Sequence, residues 1–267
     1  MVDVSSLDAT AGLPPAGDRW STWDVADHGP EPTPAWVVTD VAAVDEDLGV
    51  LKTGKEADVH VVRRFVPGTG RESLLAAKRF RSAEHRMFHR DAGYLEGRRV
   101  RRSRETRAMA GRTDFGRELI ASQWSSAEFA TLALLWSEGL PVPYPVQLCG
   151  QELLLELIGS DGLAAPRLAE LRPDAGTAAD LFDQVRRIMA RLAARGWAHG
   201  DLSAYNVLVD AGRVVVIDWP QVVDIVGNPR GLDFLHRDCV NVCSWFTRAG
   251  VDADAEELFA ELVSQAF

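Results

Sequence analysis

The feature that most constrains the fold is the stretch from His199 to Asp218. It reads His199-Gly200-Asp201-Leu202-Ser203-Ala204-Tyr205-Asn206, then two β-branched runs, Val207 to Val209 and Val214 to Ile217, and ends at Asp218. Asp210-Ala211-Gly212-Arg213 between the runs predicts a hairpin. A hairpin returns the chain to where it started, so Asn206 and Asp218 share one end and can reach one ion. Both offer hard oxygen ligands, which suit Mg²⁺. Asp201 is placed to take a proton from a hydroxyl. The plain alternative is a loop and hairpin carrying ordinary polar residues.

The elements upstream fit a loop held rigidly beside a phosphate site. Gly49-Val50-Leu51-Lys52-Thr53-Gly54-Lys55-Glu56 nearly matches a P-loop, but Glu56 stands where the metal-binding hydroxyl belongs. The next residues read as a hairpin: Val59 to Val62, a turn at Pro67-Gly68-Thr69-Gly70, and Leu74 to Lys78. A P-loop would instead lead into a helix. Gly54 permits close backbone approach to a phosphate, and Lys78 becomes the phosphate lysine or else a solvated strand lysine. A helix is predicted from about Arg117 to Glu138, stopped by Gly139 and Pro141. On it Trp124, Glu128 and Leu132 share a face, so Glu128 is either a surface acid at the helix edge or a buried one paired with Lys78.

Leu153 to Ile158 reads as a buried strand ending at Gly159. Thr177-Ala178-Ala179-Asp180 resembles a capping box opening a helix with the stripe Leu181, Val185, Ile188 and Leu192. Leu232, Leu235, Cys239, Val242 and Phe246 form a second stripe, and a last helix runs from about Ala253 to Ala266.

An apolar fraction of 46% supports a sizeable core, and no apolar run is long enough to span a membrane. Three cysteines cannot make a full disulfide framework, which points to a reducing, cytoplasmic setting. Cys239 and Cys243 lack neighbouring ligands for zinc, so buried packing is expected. The net charge of −10 conceals an acidic start and a segment dense in arginine from Arg79 to Arg117. Residues 1–44 read as a mostly irregular acidic leader, broken by prolines, with Trp20, Trp23 and Trp36 expected to dock in part on the domain. Residues 82–116 read as a mobile, solvated loop or exposed helix, or as a surface for an anionic partner, RNA or an acidic protein.

The Asp201, Asn206 and Asp218 spacing is that of a protein-kinase catalytic loop and its metal-binding aspartate. Over about residues 45–250 the chain resembles the RIO family of atypical serine/threonine protein kinases, most closely its type-one branch. The resemblance rests on Thr53-Gly54-Lys55-Glu56-Ala57, Trp124 with Glu128, and Leu155 to Gly162. It continues through His199 to Asn206, Ile217-Asp218-Trp219-Pro220-Gln221, and Asn228-Pro229-Arg230 to Arg237-Asp238-Cys239.

The resemblance implies an α+β, trimmed two-lobed kinase fold that binds ATP and Mg²⁺ or Mn²⁺. Its mainly β N-lobe would cover about 45–157 and its mainly helical C-lobe about 158–267. It makes Asp201 the base, Asn206 and Asp218 the metal ligands, and Lys78 and Glu128 the phosphate lysine and its partner. Thr53, Gly54 and Lys55 become the phosphate turn, and Glu156 and Ile158 the contacts of the inter-lobe hinge to adenine. It further implies a monomer that phosphorylates itself in the 82–116 loop, and a second activity as an ATPase through a phosphorylated Asp218. Lys52, Ala204 and Trp219-Pro220 depart from the family pattern. Two other functions fit the same residues: a small-molecule phosphotransferase of aminoglycoside-kinase type, and an ATP-switched protein that binds RNA or ribosome precursors.

Overall fold

Period-two alternation builds the first half of the chain. In the computed structural model, which describes residues 14, 16–81, 114–160, 162–219 and 222–267, three long strands run antiparallel: β3 (Val44–Thr53), β4 (Ala57–Phe65) and β5 (Glu72–Phe80). On β5, Leu75 and Ala77 are buried in one apolar cluster, while Ala76 and Lys78 face the inter-lobe cleft. Strands β6 (Pro145–Cys149) and β7 (Glu152–Glu156) extend the sheet. Two short strands near the N-terminus, β1 (Arg19–Trp20) and β2 (Asp27–His28), complete it in the order β1-β3-β4-β5-β7-β6-β2.

The N-terminal segment reads in sequence as mostly irregular, and between its strands it is. It is nonetheless part of the N-lobe, because it supplies both outer strands of the sheet. Its Val37 and Trp23 pack on Val62, Leu75, Ala77, Tyr144, Val146 and Leu154, covering the outer face. Trp23 stacks on His28 with ring centroids 3.9 Å apart. Below this cover the fully buried Arg64 donates to Asp45 at 2.7 and 3.0 Å and to Gln147 at 2.7 Å. Gln147 donates in turn to Thr22. The buried guanidinium is therefore paired, as a charge in a core must be.

Helix α1 (Asp114–Ser137) crosses the inner face and gives Leu132 and Leu135 to a core shared with Phe80 and Leu153. It ends as expected at Gly139, whose φ of 70° places it in the left-handed region. The expected strand to Ile158 stops at Glu156. Leu157 and Ile158 form the passage between lobes, followed by a small hairpin of β8 (Gly159–Ser160) and β9 (Leu163–Ala164).

The second half is helical around the predicted hairpin. Helix α2 (Ala175–Ala193) buries Leu181, Val185, Ile188 and Leu192. Its cap is Asp174, whose carboxylate accepts the Thr177 N–H at 2.9 Å, so Thr177 lies inside the helix rather than at its cap. Strand β10 (Trp197–Ala198) pairs with β13 (Val223–Asp224), and β11 (Val207–Asp210) pairs with β12 (Arg213–Val216). Helix α3 (Gly231–Arg248) packs on α4 (Ala255–Ala266). Leu232, expected on the α3 stripe, is partly exposed, and Phe234 is buried in its place. Cys239 and Cys243 lie in the core, and burial pushes their thiols up to about 12 and about 11. The arginine-rich 82–116 segment falls outside the described residues except for the backbone of its last three positions.

Candidate active site

The strand lysine and the helix carboxylate meet. Lys78 donates to both Glu128 oxygens, at 2.8 and 2.7 Å, and to Asp218 Oδ1 at 2.7 Å. Glu128 is 1% exposed and also accepts the Trp219 N–H. Burial alone would lower the Lys78 pKa, but Glu128 and Asp218 outweigh it and hold the ammonium above its ordinary value. Two carboxylates sharing one cation are not equivalent. Burial raises the pKa of Glu128 against the pull of Lys78, whereas for Asp218 Lys78 overcomes burial and lowers it.

The predicted loop is pinned from several sides. Asp238 on α3 accepts the Gly200 N–H at 2.7 Å and the Leu202 N–H at 2.9 Å. Arg237 donates to the Gly200 carbonyl, and Asn241 donates to that of Leu202 at 3.1 Å. His199 is buried, and burial lowers its pKa. Its Nδ1 accepts the Asp201 N–H, which assigns the ring proton to Nε2 and directs it at the Ile217 carbonyl, 3.3 Å away. Asn206 donates its side-chain N–H to the Asp201 carbonyl at 2.9 Å, which turns its amide oxygen toward other partners. Ile217 N–H donates to the Asn206 carbonyl and ties the two ends of the hairpin. Asp218 follows with φ of 67°, a region that costs a non-glycine residue strain.

These groups face one cleft of about 760 Å³ between the lobes. Gly54, Lys55, Lys78, Glu128, Glu156, Ile158, Asp201, Asn206 and Asp218 all line it. Thr53 does not, because its side chain bonds to Asp58. A side chain at Gly54 would put Cβ 2.9 Å from the Ala57 carbonyl, so the turn needs glycine. Sequence reasoning singled out Lys52 only as a departure from the family pattern and assigned Arg167 and Tyr205 no separate role, but all three also line the cleft. It also gave Asp238 no role beyond membership of a motif. An acid inside the apolar stripe of α3, beside Cys239, was the available signal, since a buried carboxylate must find donors.

A curled antiparallel sheet over a cleft, a strand lysine clasped by a helix carboxylate, and a pinned loop-and-hairpin carrying Asp201, Asn206 and Asp218 define a protein-kinase-like fold. A solved Rio2 kinase from Chaetomium thermophilum shares it with a TM-score of 0.53 and 20% identity, over 82% of this chain and 67% of that one. The sequence matches the RIO domain over residues 75–258, and the chain belongs to the RIO family of serine/threonine-protein kinases. It is 36% identical over 217 residues to the RIO-type serine/threonine-protein kinase Rio1 of Haloferax volcanii, covering 81% of this chain and 68% of that protein. It is 30% identical over 209 residues to the human serine/threonine-protein kinase RIO1, covering 78% of this chain but 34% of that one. The chain thus spans about two thirds of the archaeal relative and a third of the human one. Family membership implies use of ATP and a divalent metal. Among the described residues no helix is long and apolar enough to cross a membrane.

Proposed function

We propose that the cleft transfers the γ-phosphoryl group of ATP to a serine or threonine hydroxyl. The observation that carries this reading is the chain of contacts Glu128–Lys78–Asp218, which links the sheet of one lobe to the hairpin of the other beside Asp201 and Asn206. Phosphoryl transfer needs positioning and charge neutralisation more than covalent chemistry, and these groups supply both. Lys78 holds the phosphates, with Glu128 fixing its ammonium. The Thr53-Gly54-Lys55 turn covers them, through its backbone in the case of Thr53. Backbone groups of Glu156 and Ile158 take the adenine. Asp201 accepts the proton of the attacking hydroxyl. The donor set fits a hard divalent cation: the Asn206 amide N–H is already used, so its oxygen is the remaining ligand atom, and Asp218 is ionised. Mg²⁺ or Mn²⁺ held by Asn206 and Asp218 would supply neutralisation of the phosphate charge.

A second reading, ATP turnover without a protein acceptor, is favoured by one observation. The Asp218 side chain, 47% exposed, lines the cleft, where its carboxylate can accept a phosphoryl group. The arginine-rich 82–116 segment supplies positive charge for RNA, a ribosome precursor or an acidic protein, and serine and threonine hydroxyls for self-phosphorylation. All three cysteines are free, which suits a reducing, cytoplasmic setting.

The test is incubation with γ-labelled ATP and Mg²⁺, followed by mass spectrometry of protein and small products. Phosphoserine or phosphothreonine, absent in Asp201→Ala, supports the kinase reading. Free phosphate alone supports the ATPase reading. A phosphorylated small acceptor supports the aminoglycoside-kinase type, and no transfer or hydrolysis overturns all of these.

A further inference from the structure

The passage between the lobes is held from behind by the N-terminal segment. Tyr144, just before β6, is fully buried and bonds twice to Glu156. Glu156 N–H donates to the Tyr144 carbonyl at 2.9 Å, and Tyr144 N–H donates to Glu156 Oε2 at 3.0 Å. The Tyr144 ring is gripped in turn. Its hydroxyl donates to the Pro30 carbonyl at 3.1 Å. Thr33 is fixed by Glu31, which accepts its N–H at 2.7 Å and its hydroxyl at 3.1 Å. Trp36 meets the ring edge-on, with centroids 6.1 Å apart. Gly29 N–H donates to Val146, and a Cβ on Gly29 would lie 1.9 Å from the Pro145 carbonyl and 2.8 Å from the Tyr144 ring. Only glycine lets the segment approach this closely. None of these N-terminal residues lies within the span matched to the RIO domain.

We infer that residues 29–36 form a brace that fixes the Glu156–Ile158 passage through Tyr144, and so set how tightly and how selectively the cleft binds the nucleotide base. This rests on the proposed contact of adenine with Glu156 and Ile158. Tyr144 acts as a positioning residue, since it does not line the cleft. A packing role alone would be met by Val37 and Trp23, which already cover the apolar face. The paired bonds to Glu156 add orientation, and recognition by backbone groups depends on sub-ångström placement.

The test measures binding of ATP, GTP and inorganic triphosphate by calorimetry on the full chain. Tyr144→Phe keeps the ring and removes the bond to Pro30. It should weaken ATP by about three- to tenfold, as expected for one lost hydrogen bond. It should also narrow the ATP-to-GTP ratio, raise the KM for ATP with kcat unchanged, and leave triphosphate binding unaltered. Gly29→Ala should act in the same direction. Arg19→Ala, which loosens the same segment at β3 and Glu152 instead, should lower the melting temperature without moving the ratio. An unchanged ratio and KM in Tyr144→Phe, or an equal shift in Arg19→Ala, overturns the inference. A wild-type chain that binds triphosphate but neither ATP nor GTP more tightly overturns the adenine placement first, and the brace with it.

Discussion

Lys78 Nζ lies 2.7 Å from Asp218 Oδ1, a single contact joining the sheet of one lobe to the hairpin end of the other. Lys78 therefore occupies the carboxylate proposed to hold the metal. The two aspartates of the site should separate in experiment. Asp201→Ala should lose about 10²- to 10⁴-fold in transfer rate, the usual weight of a general base, while keeping nucleotide affinity. Asp218→Ala should lose activity together with the Mg²⁺ dependence of binding. Titration of a non-hydrolysable ATP analogue with and without Mg²⁺ distinguishes them. Full Mg²⁺ dependence in Asp218→Ala would remove that residue from the metal site.

Glu128→Ala leaves Lys78, whose side chain is 12% exposed in the intact site, with Asp218 as its remaining partner. Breaking a buried pair costs about 3–5 kcal/mol, and retention of Asp218 places this case at the low end. The melting temperature should fall and the KM for ATP should rise. If both stay at wild-type values, Glu128 neither holds Lys78 in place nor contributes to the fold.

Asp238 links loop geometry to pH. Burial pushes its pKa up from 3.8 to about 7, although the Gly200 and Leu202 amides pull it down. The folded chain thus keeps a proton that the unfolded chain releases near pH 3.8. The stability from that proton is complete below the unfolded value and is lost as pH rises through about 7. Urea midpoints of wild type should therefore fall between about pH 4 and pH 7 more steeply than those of Asp238→Asn. Parallel pH profiles would show that Asp238 does not titrate in this range.

The Arg64–Asp45 pair gives a prediction about stability alone. Asp45→Ala strands a guanidinium that is 0% exposed, so it should cost about 3–5 kcal/mol in urea denaturation. Arg64→Leu combined with Asp45→Ala should recover much of that loss, because a buried ion pair can be replaced by apolar side chains at little cost. A double variant less stable than Asp45→Ala would show that Arg64 stabilises through Gln147 instead.

The parts of this molecule legible in the sequence are those whose signal is local. Glu128 could be placed from its i±4 neighbours, Lys78 from its position on the second strand of a hairpin beside the Gly54 turn, and the nearness of Asn206 to Asp218 from a hairpin built of two β-branched runs. The helix cap lies three residues before the position the sequence suggests, because Asp174 and Thr177 are both good capping types and only the chain path shows which one accepts. Strands β1 and β2 have two residues each, too few for any period to register. The partners of Tyr144 and Asp238 lie far along the chain, where no window of pattern reaches.

The two outermost strands of the seven-stranded sheet have a consequence for how the chain folds as it is made. Thr22 and Gln147 are 125 positions apart, and β2 pairs with β6 over a similar distance. Contacts so remote must overcome loop-closure entropy before they return any stability, which slows folding. At synthesis rates of about 5–20 residues per second, the N-terminal segment therefore waits several seconds on the ribosome for Pro145–Cys149 to emerge. Until then Trp23 cannot pack on Tyr144, Val146 and Leu154 and β2 stays unpaired, whereas β1 can pair with β3 as soon as Val44 and Asp45 emerge.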